Sequence, residues 1–235
     1  PPLPNPLTVD LVLHRGTPGQ SEPLITSGRP LFGDFLIARS PLFLVAHPKT
    51  GVKNLREFVA LAKTKTGHVT FASASTSQLV SAEMLASMAG VQMTNVPYKS
   101  GPAAMTDLIG GQVNMFTADF AVMLPQVKGG KVRGLAVTST QRSPAIPELP
   151  TVNEALGIKD YELIAYFAMF APAGTPRAIV DKIQGDVAKA MSVPEVRERF
   201  VSQGAEPGGN TPDQFSAFIK GEIEKWARVV KVSNA

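Results

Sequence analysis

Short apolar runs and helix-start signals alternate along this chain. Residues 42–46 form an apolar, β-rich run that ends before a proline, which is typical of a buried strand. Asn54, with Glu57 three residues later, forms a capping box at the start of a helix. Residues 69–72 then predict a second strand, followed by a serine-rich turn and a helix that ends before Gly90. The first half of the chain therefore repeats a strand, a turn and a helix.

The same alternation continues through the middle of the chain. Apolar runs at 113–118, 132–138 and 162–170 predict three further strands. A helix is expected around 120–127, where Pro125 should bend or shorten it. Strands that alternate with helices predict an α/β fold with a parallel or mixed sheet and right-handed crossovers.

The last third of the chain is predicted to be helical. Thr175 caps a helix whose first position is Pro176. Helical spacing predicts that one apolar set in this helix faces inward: Ile179, Val180, Ile183, Val187 and Met191. The final helix carries an apolar stripe that is expected to face the core rather than a membrane: Phe215, Phe218, Ile219, Ile223, Trp226 and Val230.

Composition narrows the class of protein. With 235 residues, 44% of them hydrophobic, the chain is long enough for one large domain or two small ones. It has no cysteine, which excludes disulfides and thiolate metal sites. The net charge of +4 comes from scattered residues, so nucleic-acid binding is not indicated. No apolar run approaches the ~20 residues of a membrane span, and neither a signal peptide, a metal site nor a cofactor is predicted.

The best candidate for a binding site is a small polar loop after the second strand. It consists of Ser73, Ala74, Ser75, Thr76 and Ser77 and leads into a helix, so it offers unpaired backbone N–H groups and hydroxyls to an anion. The alternative is that these residues only cap their own helix.

Two further loops follow strands in the same way. Asp119 comes directly after a strand and could accept a hydrogen bond from a ligand or order a water. Its alternative role is to cap the helix that begins near Phe120. Tyr98 and Lys99 form the third candidate, with Lys99 able to attract an anion, although a solvated lysine is the commoner outcome.

Four segments together resemble the Bug family, the periplasmic solute-binding proteins of tripartite tricarboxylate transporters. They are residues 96–113, 142–152, 167–176 and 205–207, in that order along the chain. The resemblance extends over roughly residues 42–230.

The resemblance implies a two-lobed periplasmic-binding-protein-like fold, in which each lobe is a mixed sheet flanked by helices and the ligand lies in a cleft between the lobes. The implied first lobe contains residues 1–44 and 165–235, and the second contains residues 45–164. The first strand, Gly-Gly loop and first helix of the family have no counterpart before residues 6–19, so the first lobe is expected to be incomplete at its N-terminus.

The resemblance also implies the function. The chain is expected to be a periplasmic, monomeric receptor that captures a small carboxylate, performs no catalysis and delivers the ligand to membrane transporter subunits. In the family, the loop matching 73–77 grips a ligand carboxylate, and the position of Asp119 often holds Asp or Asn. This loop departs from the family pattern because it lacks glycines and has Gln78 where the family often has His.

Two other functions remain open at the level of sequence. One is a truncated or degenerate family member with an interaction or sensing role. The other is a hydrolase, but no Gly-x-Ser-x-Gly elbow, His-Glu-x-x-His pair or Walker loop is present. The three histidines are far apart along the chain, at His14, His47 and His68.

Overall fold

The computed structural model describes residues 32–171 and 174–233, and it describes side chains between residues 35 and 222 of these ranges. The strands are β1 (Phe32–Ala46), β2 (Thr70–Ser73), β3 (Thr94–Pro97), β4 (Met115–Asp119), β5 (Arg133–Val137), β6 (Ile164–Ala171) and β7 (Glu206–Pro207). The helices are α1 (Leu55–Thr64), α2 (Thr76–Ala89), α3 (Gly101–Gly110), α4 (Phe120–Lys128), α5 (Val152–Leu156), α6 (Arg177–Ser192), α7 (Pro194–Ser202) and α8 (Pro212–Ser233). A short 3-10 helix spans Pro48–Thr50.

The strands form a mixed sheet in the order β3-β2-β4-β1-β5, with β6 and β7 also paired to β1. Strand β2 is parallel to both β3 and β4, whereas β1 runs antiparallel to β4 and β5. The carboxyl ends of β3, β2, β4 and β5 therefore lie along one edge of the sheet. The mixed α/β architecture predicted from the sequence is confirmed.

Each face of the five-stranded part is covered by helices. On one face Phe71 and Met115 pack with residues of α1, α2 and α5. On the other face Phe43 and Phe116 pack with residues of α3 and α4. Neighbouring strand residues alternate between these two clusters because successive side chains of a strand point to opposite faces.

Local sequence signals account for most element boundaries. Asn54 accepts a hydrogen bond from the backbone N of Glu57 at 2.9 Å, which confirms the predicted cap of α1. Thr151 and Glu154 form a complete capping box at α5. Pro125 lies inside α4, which nevertheless continues to Lys128.

The described residues divide into two compact units. Unit 2 contains 38–167 and 191–207, and unit 1 contains the remaining described residues. This division differs from the lobe boundaries predicted from the sequence, because residues 191–207 group with unit 2 and the chain crosses between units within β1 and β6. The physical reason for the first difference is β7, whose Glu206 pairs with Arg39 of unit 2.

Unit 1 has a small aromatic core. Phe215 of α8 is fully buried, and its ring centroid lies 6.0 Å from that of Phe170. Val180 of α6 is buried, but Ile179 and Ile183 are 50% and 40% exposed, so the prediction that both face inward is wrong. Val187 and Met191 of the same predicted set are half-buried, so the helix is covered along part of its apolar stripe. The predicted core residues Ile223, Trp226 and Val230 lie outside the residues whose side chains are described.

Candidate functional site

The three loops proposed from the sequence lie at one edge of the sheet in unit 2. Strands β3, β2 and β4 are adjacent and parallel, and the candidate residues follow or end these strands at their carboxyl ends. Open α/β sheets bind ligands at such an edge, where loops lead into helix N-termini. The structure therefore brings the candidates to neighbouring strand ends, although they are up to 46 residues apart along the chain (Ser73 to Asp119).

The serine loop joins β2 to α2. Ser75 is the N-cap of α2, and its Oγ accepts a hydrogen bond from the backbone N of Gln78 at 3.4 Å. The Oγ atoms of Ser75 and Ser77 lie 3.1 Å apart, and both residues are exposed. Thr76 and Ser77 occupy the first turn of the helix, where their N–H groups have no intrahelical acceptor. The loop thus caps its helix and also leaves donors available to an anion.

Ser73 and Ala74 are fixed by hydrogen bonds to neighbouring residues. Ser73 is buried and donates from its hydroxyl to Asn95 Oδ1 of β3 at 2.7 Å, while its carbonyl oxygen accepts from Tyr98 N at 2.7 Å. The N–H of Ala74 donates to Gln78 Oε1 at 2.8 Å. Ser73 therefore joins two loops of the site, and its hydroxyl is engaged within the protein.

Asp119 ends β4 and occupies the N-cap position of α4, but its side chain makes no capping hydrogen bond. The residue is exposed, yet the surrounding protein desolvates the carboxyl and raises its pKa, while its own backbone N–H opposes the shift. The carboxylate of Asp119 is accessible. Asp119 occupies the N-cap position of α4, but its side chain does not cap the helix.

Tyr98 is fixed by α3 rather than directed into open solvent. Its hydroxyl donates to Asp107 Oδ2 at 2.8 Å. Desolvation, this hydrogen bond and the negative charge of Asp107 raise the pKa of Tyr98 to about 12. Lys99 is exposed. The tyrosine anchors the third loop to the next helix.

Sequence reasoning did not identify Thr117, which lies two residues before Asp119 on β4. Its side chain is 1% exposed, and its Oγ1 is the one enclosed side-chain polar atom without a partner among the described residues. Strand alternation places it on the same face as Met115, which packs with α2 residues. The sequence gives no signal for it, because a threonine within a strand is ordinary.

The segment around Arg142, which carries much of the family resemblance, has a structural role in the fold. Arg142 Nε contacts Glu154 Oε2 at 2.7 Å, and Arg142 also donates to the carbonyl oxygen of Pro147. The hydrogen bonds from Arg142 and from the backbone N of Thr151 lower the pKa of Glu154. These contacts hold the 139–151 loop against the start of α5.

The described residues form neither a cluster suited to a metal ion nor a helix suited to span a membrane. No group of three or more His, Asp or Glu residues in this part of the chain is arranged to hold a metal ion. None of the helices in the described ranges is both long and apolar enough to cross a membrane.

The mixed sheet flanked by helices is similar to the fold of periplasmic binding proteins, as comparison with solved structures shows. Three structures align with most of the chain: R. palustris Rpa4515 with adipate, the periplasmic binding protein BugD, and MatC from Rhodopseudomonas palustris with bound malate. Their TM-scores are 0.83, 0.80 and 0.76, at 29%, 30% and 28% identity. The alignments cover 88%, 88% and 85% of this chain and 70%, 70% and 69% of those chains.

Sequence comparison identifies the family. The model of the TctC family, the tripartite tricarboxylate transporter family receptor, matches residues 27–235, and the chain belongs to this family. A UPF0065 protein from the tcbD-tcbE intergenic region of Pseudomonas sp. is 30% identical over 226 residues, and BugT of Bordetella pertussis is 34% identical over 202 residues. The two alignments cover 95% and 85% of this chain. They cover only 66% and 62% of the two relatives, so the chain spans about two thirds of their length. The Bug-family resemblance and the periplasmic-binding-protein-like fold predicted from the sequence are confirmed.

Proposed function

We propose that this chain is a periplasmic receptor that binds a small carboxylate at the carboxyl edge of the unit 2 sheet and delivers it to a membrane transporter of the tripartite tricarboxylate type. The observation that carries the proposal is the N-terminus of α2, whose serine loop lies next to the loops of β3 and β4. Unpaired N–H groups and the helix dipole favour a negative charge at this position.

The predicted ligand-binding residues enter the proposal with different roles. Ser75, Thr76 and Ser77 offer hydroxyl and backbone donors, whereas Ser73 and Ala74 hold the loop in place. Asp119 accepts from a hydroxyl or amine of the ligand, or from a bridging water, because its carboxylate is accessible and makes no capping bond.

Tyr98 and Lys99 complete the proposed site at its third loop. The hydrogen bond from Tyr98 to Asp107 positions this loop, and exposed Lys99 adds positive charge near the anion. Attraction of an anion by an exposed lysine is weak and is screened by salt.

The ligands in two similar solved structures support a carboxylate as the ligand class. The structures with adipate and with malate are 29% and 28% identical to this chain. Both compounds carry two carboxylates, so a dicarboxylate is the first class to test. Periplasmic location and delivery to a transporter are proposed from membership of the tripartite tricarboxylate transporter receptor family and from the similarity to the periplasmic binding protein BugD.

Binding without turnover is favoured over hydrolysis by the positions of the described histidines. His47 lies at the opposite edge of the sheet, where its Nδ1 accepts from Lys49 N at 3.0 Å. His68 precedes β2 and is exposed at that same opposite edge. Within the described part of the chain, neither histidine stands at the carboxyl edge, where a base would have to lie within hydrogen-bond reach of a serine.

The experiment that tests the function is a thermal melting series with adipate, malate and other di- and tricarboxylates, with each sample followed by NMR. A ligand at 100 times its Kd should add about 2.7 kcal/mol, which shifts Tm by several degrees. A shift with an unchanged ligand supports the receptor, and a shift with product indicates an enzyme. The absence of any shift across the panel would favour a degenerate member with an interaction role.

Delivery and assembly need separate measurements. Deleting the gene should reduce cellular uptake of the bound carboxylate, and complementation should restore uptake. Light scattering of the purified chain should give the mass of a monomer.

A further inference from the structure

Gln78 is a buried polar residue in the first turn of α2, and its side chain turns back into the serine loop. It is 8% exposed, and its Oε1 accepts from the backbone N of Ala74 at 2.8 Å. The terminal amide therefore lies against the loop itself rather than along the outside of the helix.

The contact with Ala74 determines which way the amide points. A backbone N–H requires an acceptor, so the oxygen of the amide must face Ala74 and the NH2 group must face away from it. Within the described residues, the Gln78 side chain makes one hydrogen bond, the one that its Oε1 accepts from Ala74 N, and Nε2 has no acceptor. Although the residue as a whole is 8% exposed, Nε2 is not one of the fully enclosed unpaired atoms, so this NH2 group stays accessible at the loop, where a ligand can reach it.

The unpaired amide is independent of the helix N-terminus, and both features favour the same ligand. The first-turn N–H groups of Thr76 and Ser77 are donors without intrahelical acceptors, and the Nε2 of Gln78 adds two more N–H bonds to the loop. A carboxylate supplies acceptors alone, with two oxygens and about four lone-pair directions.

We propose that Gln78 is a ligand-binding residue, with its Oε1 held by the N–H of Ala74 and its Nε2 donating to an oxygen of the bound carboxylate. This inference rests on the proposed function and adds a specific donor to it. Because the amide is neutral at every accessible pH, this contact does not titrate, in contrast to a histidine in the same position.

The sharpest test is Gln78→Glu, which replaces the donating NH2 by an oxygen and keeps the acceptor that Ala74 requires. Glutamate at this position also completes a capping box with Ser75 and interacts favourably with the helix dipole, so Tm should hold or rise. Affinity for adipate or malate, whichever the wild type binds, should fall at least about tenfold, because a charged hydrogen bond is lost. Stability and affinity should therefore respond in opposite directions.

A matched control separates the loss of a donor from the added charge. Gln112→Glu makes the same substitution at an exposed residue that follows α3, at the opposite edge of the sheet, and its affinity should stay within about twofold of wild type. Raising the salt to about 0.5 M screens long-range repulsion but should not restore binding to Gln78→Glu. Gln78→Met removes the donor without adding charge and should also weaken binding.

The outcomes are distinct. If the wild type binds and both Gln78 variants keep its affinity, or if salt fully restores Gln78→Glu, the role of Gln78 is overturned while the receptor function stands. If the wild type binds no member of the carboxylate panel, the proposed function fails and the role of Gln78 fails with it. Weakened binding in both variants, with Gln112→Glu unaffected and no rescue by salt, supports the proposal.

Discussion

The two edges of the sheet in unit 2 differ in how completely their polar groups are paired. At the amino edge, Asn114 Oδ1 accepts from both the N and the Oγ1 of Thr70, at 2.8 and 3.1 Å. His47 donates from its backbone N to Asn114 O at 3.0 Å, and its ring packs over Gly111, where an added Cβ would lie 3.2 Å from His47 Cε1. These groups find their partners within the protein.

The carboxyl edge leaves several polar groups available. Asp119 makes no capping bond, the Nε2 of Gln78 has no acceptor among the described residues, and the first-turn N–H groups of α2 have no intrahelical acceptor. Thr117 Oγ1, two residues inside this edge, is enclosed without a partner. Since an unpaired buried polar group costs stability, groups retained in this state are more informative about binding than groups that are fully bonded.

The largest expected effect on stability comes from breaking the paired edge. Asn114→Ala removes the acceptor for two donors of Thr70 and should lower the free energy of unfolding by about 1–3 kcal/mol. Tm should fall by roughly 2–4 °C per kcal/mol, while carboxylate affinity is retained. Asn114→Asp keeps the acceptor oxygen and serves as the control in melting and calorimetric titration. An unchanged Tm would contradict the structural role of this edge.

At the carboxyl edge, Asp119→Ala should weaken ligand binding by about 1–3 kcal/mol, because donors of the bound ligand or water lose their acceptor. Thermal stability should change little, since the carboxylate makes no capping bond. Calorimetric titration beside melting separates the two roles. A loss of stability by ~1 kcal/mol with unchanged affinity would show instead that Asp119 acts as a helix cap.

Thr117→Val should stabilise the ligand-free protein by about 1 kcal/mol, because it removes an enclosed hydroxyl that has no partner. Thr138→Val is the matched control: Thr138 is equally buried, but its Oγ1 accepts from Leu42 N at 2.7 Å and donates to Leu163 O. The same substitution there should destabilise the protein. Chemical denaturation measures the free energy of unfolding of both variants. If the two substitutions changed it in the same direction, the inferred difference in hydrogen bonding between Thr117 and Thr138 would be contradicted.

The smallest expected effect is a pH dependence at Asp119. Desolvation raises its pKa in the folded state above the ordinary value of 3.8, so ionisation of this carboxyl opposes folding. Its contribution to stability is fully present below the ordinary pKa and is lost as the pH rises through the folded pKa. Asp119→Asn should therefore match the wild type in Tm near pH 3 and exceed it slightly near pH 7. Melts at both values test the sign, and a wild type more stable than the variant at pH 7 would contradict it.

Local sequence signals predicted the elements that depend on near neighbours. The caps of α1 and α5 rest on residues three positions apart, and the alternation of strands and helices is readable from apolar spacing. The contact of Gln78 with the loop also had such a signal, since Ser75 and Gln78 stand at capping-box spacing. Ile179 and Ile183 show where prediction from spacing fails. Helical spacing identifies an apolar stripe, but it does not show which part of that stripe another element covers.

The amino-acid sequence by itself determined the α/β class, the family and the three loops that follow strands, because periodicity, caps and short motifs are local properties. Only the tertiary structure decided which polar groups of those loops are already bonded. Ser73 is bonded to Asn95, 22 residues away, and Thr138 to Leu42, 96 residues away, whereas Thr117 has no partner among the described residues. Pairing depends on strand order and register, which join residues distant in sequence, so the availability of each donor and acceptor is a property of the folded sheet.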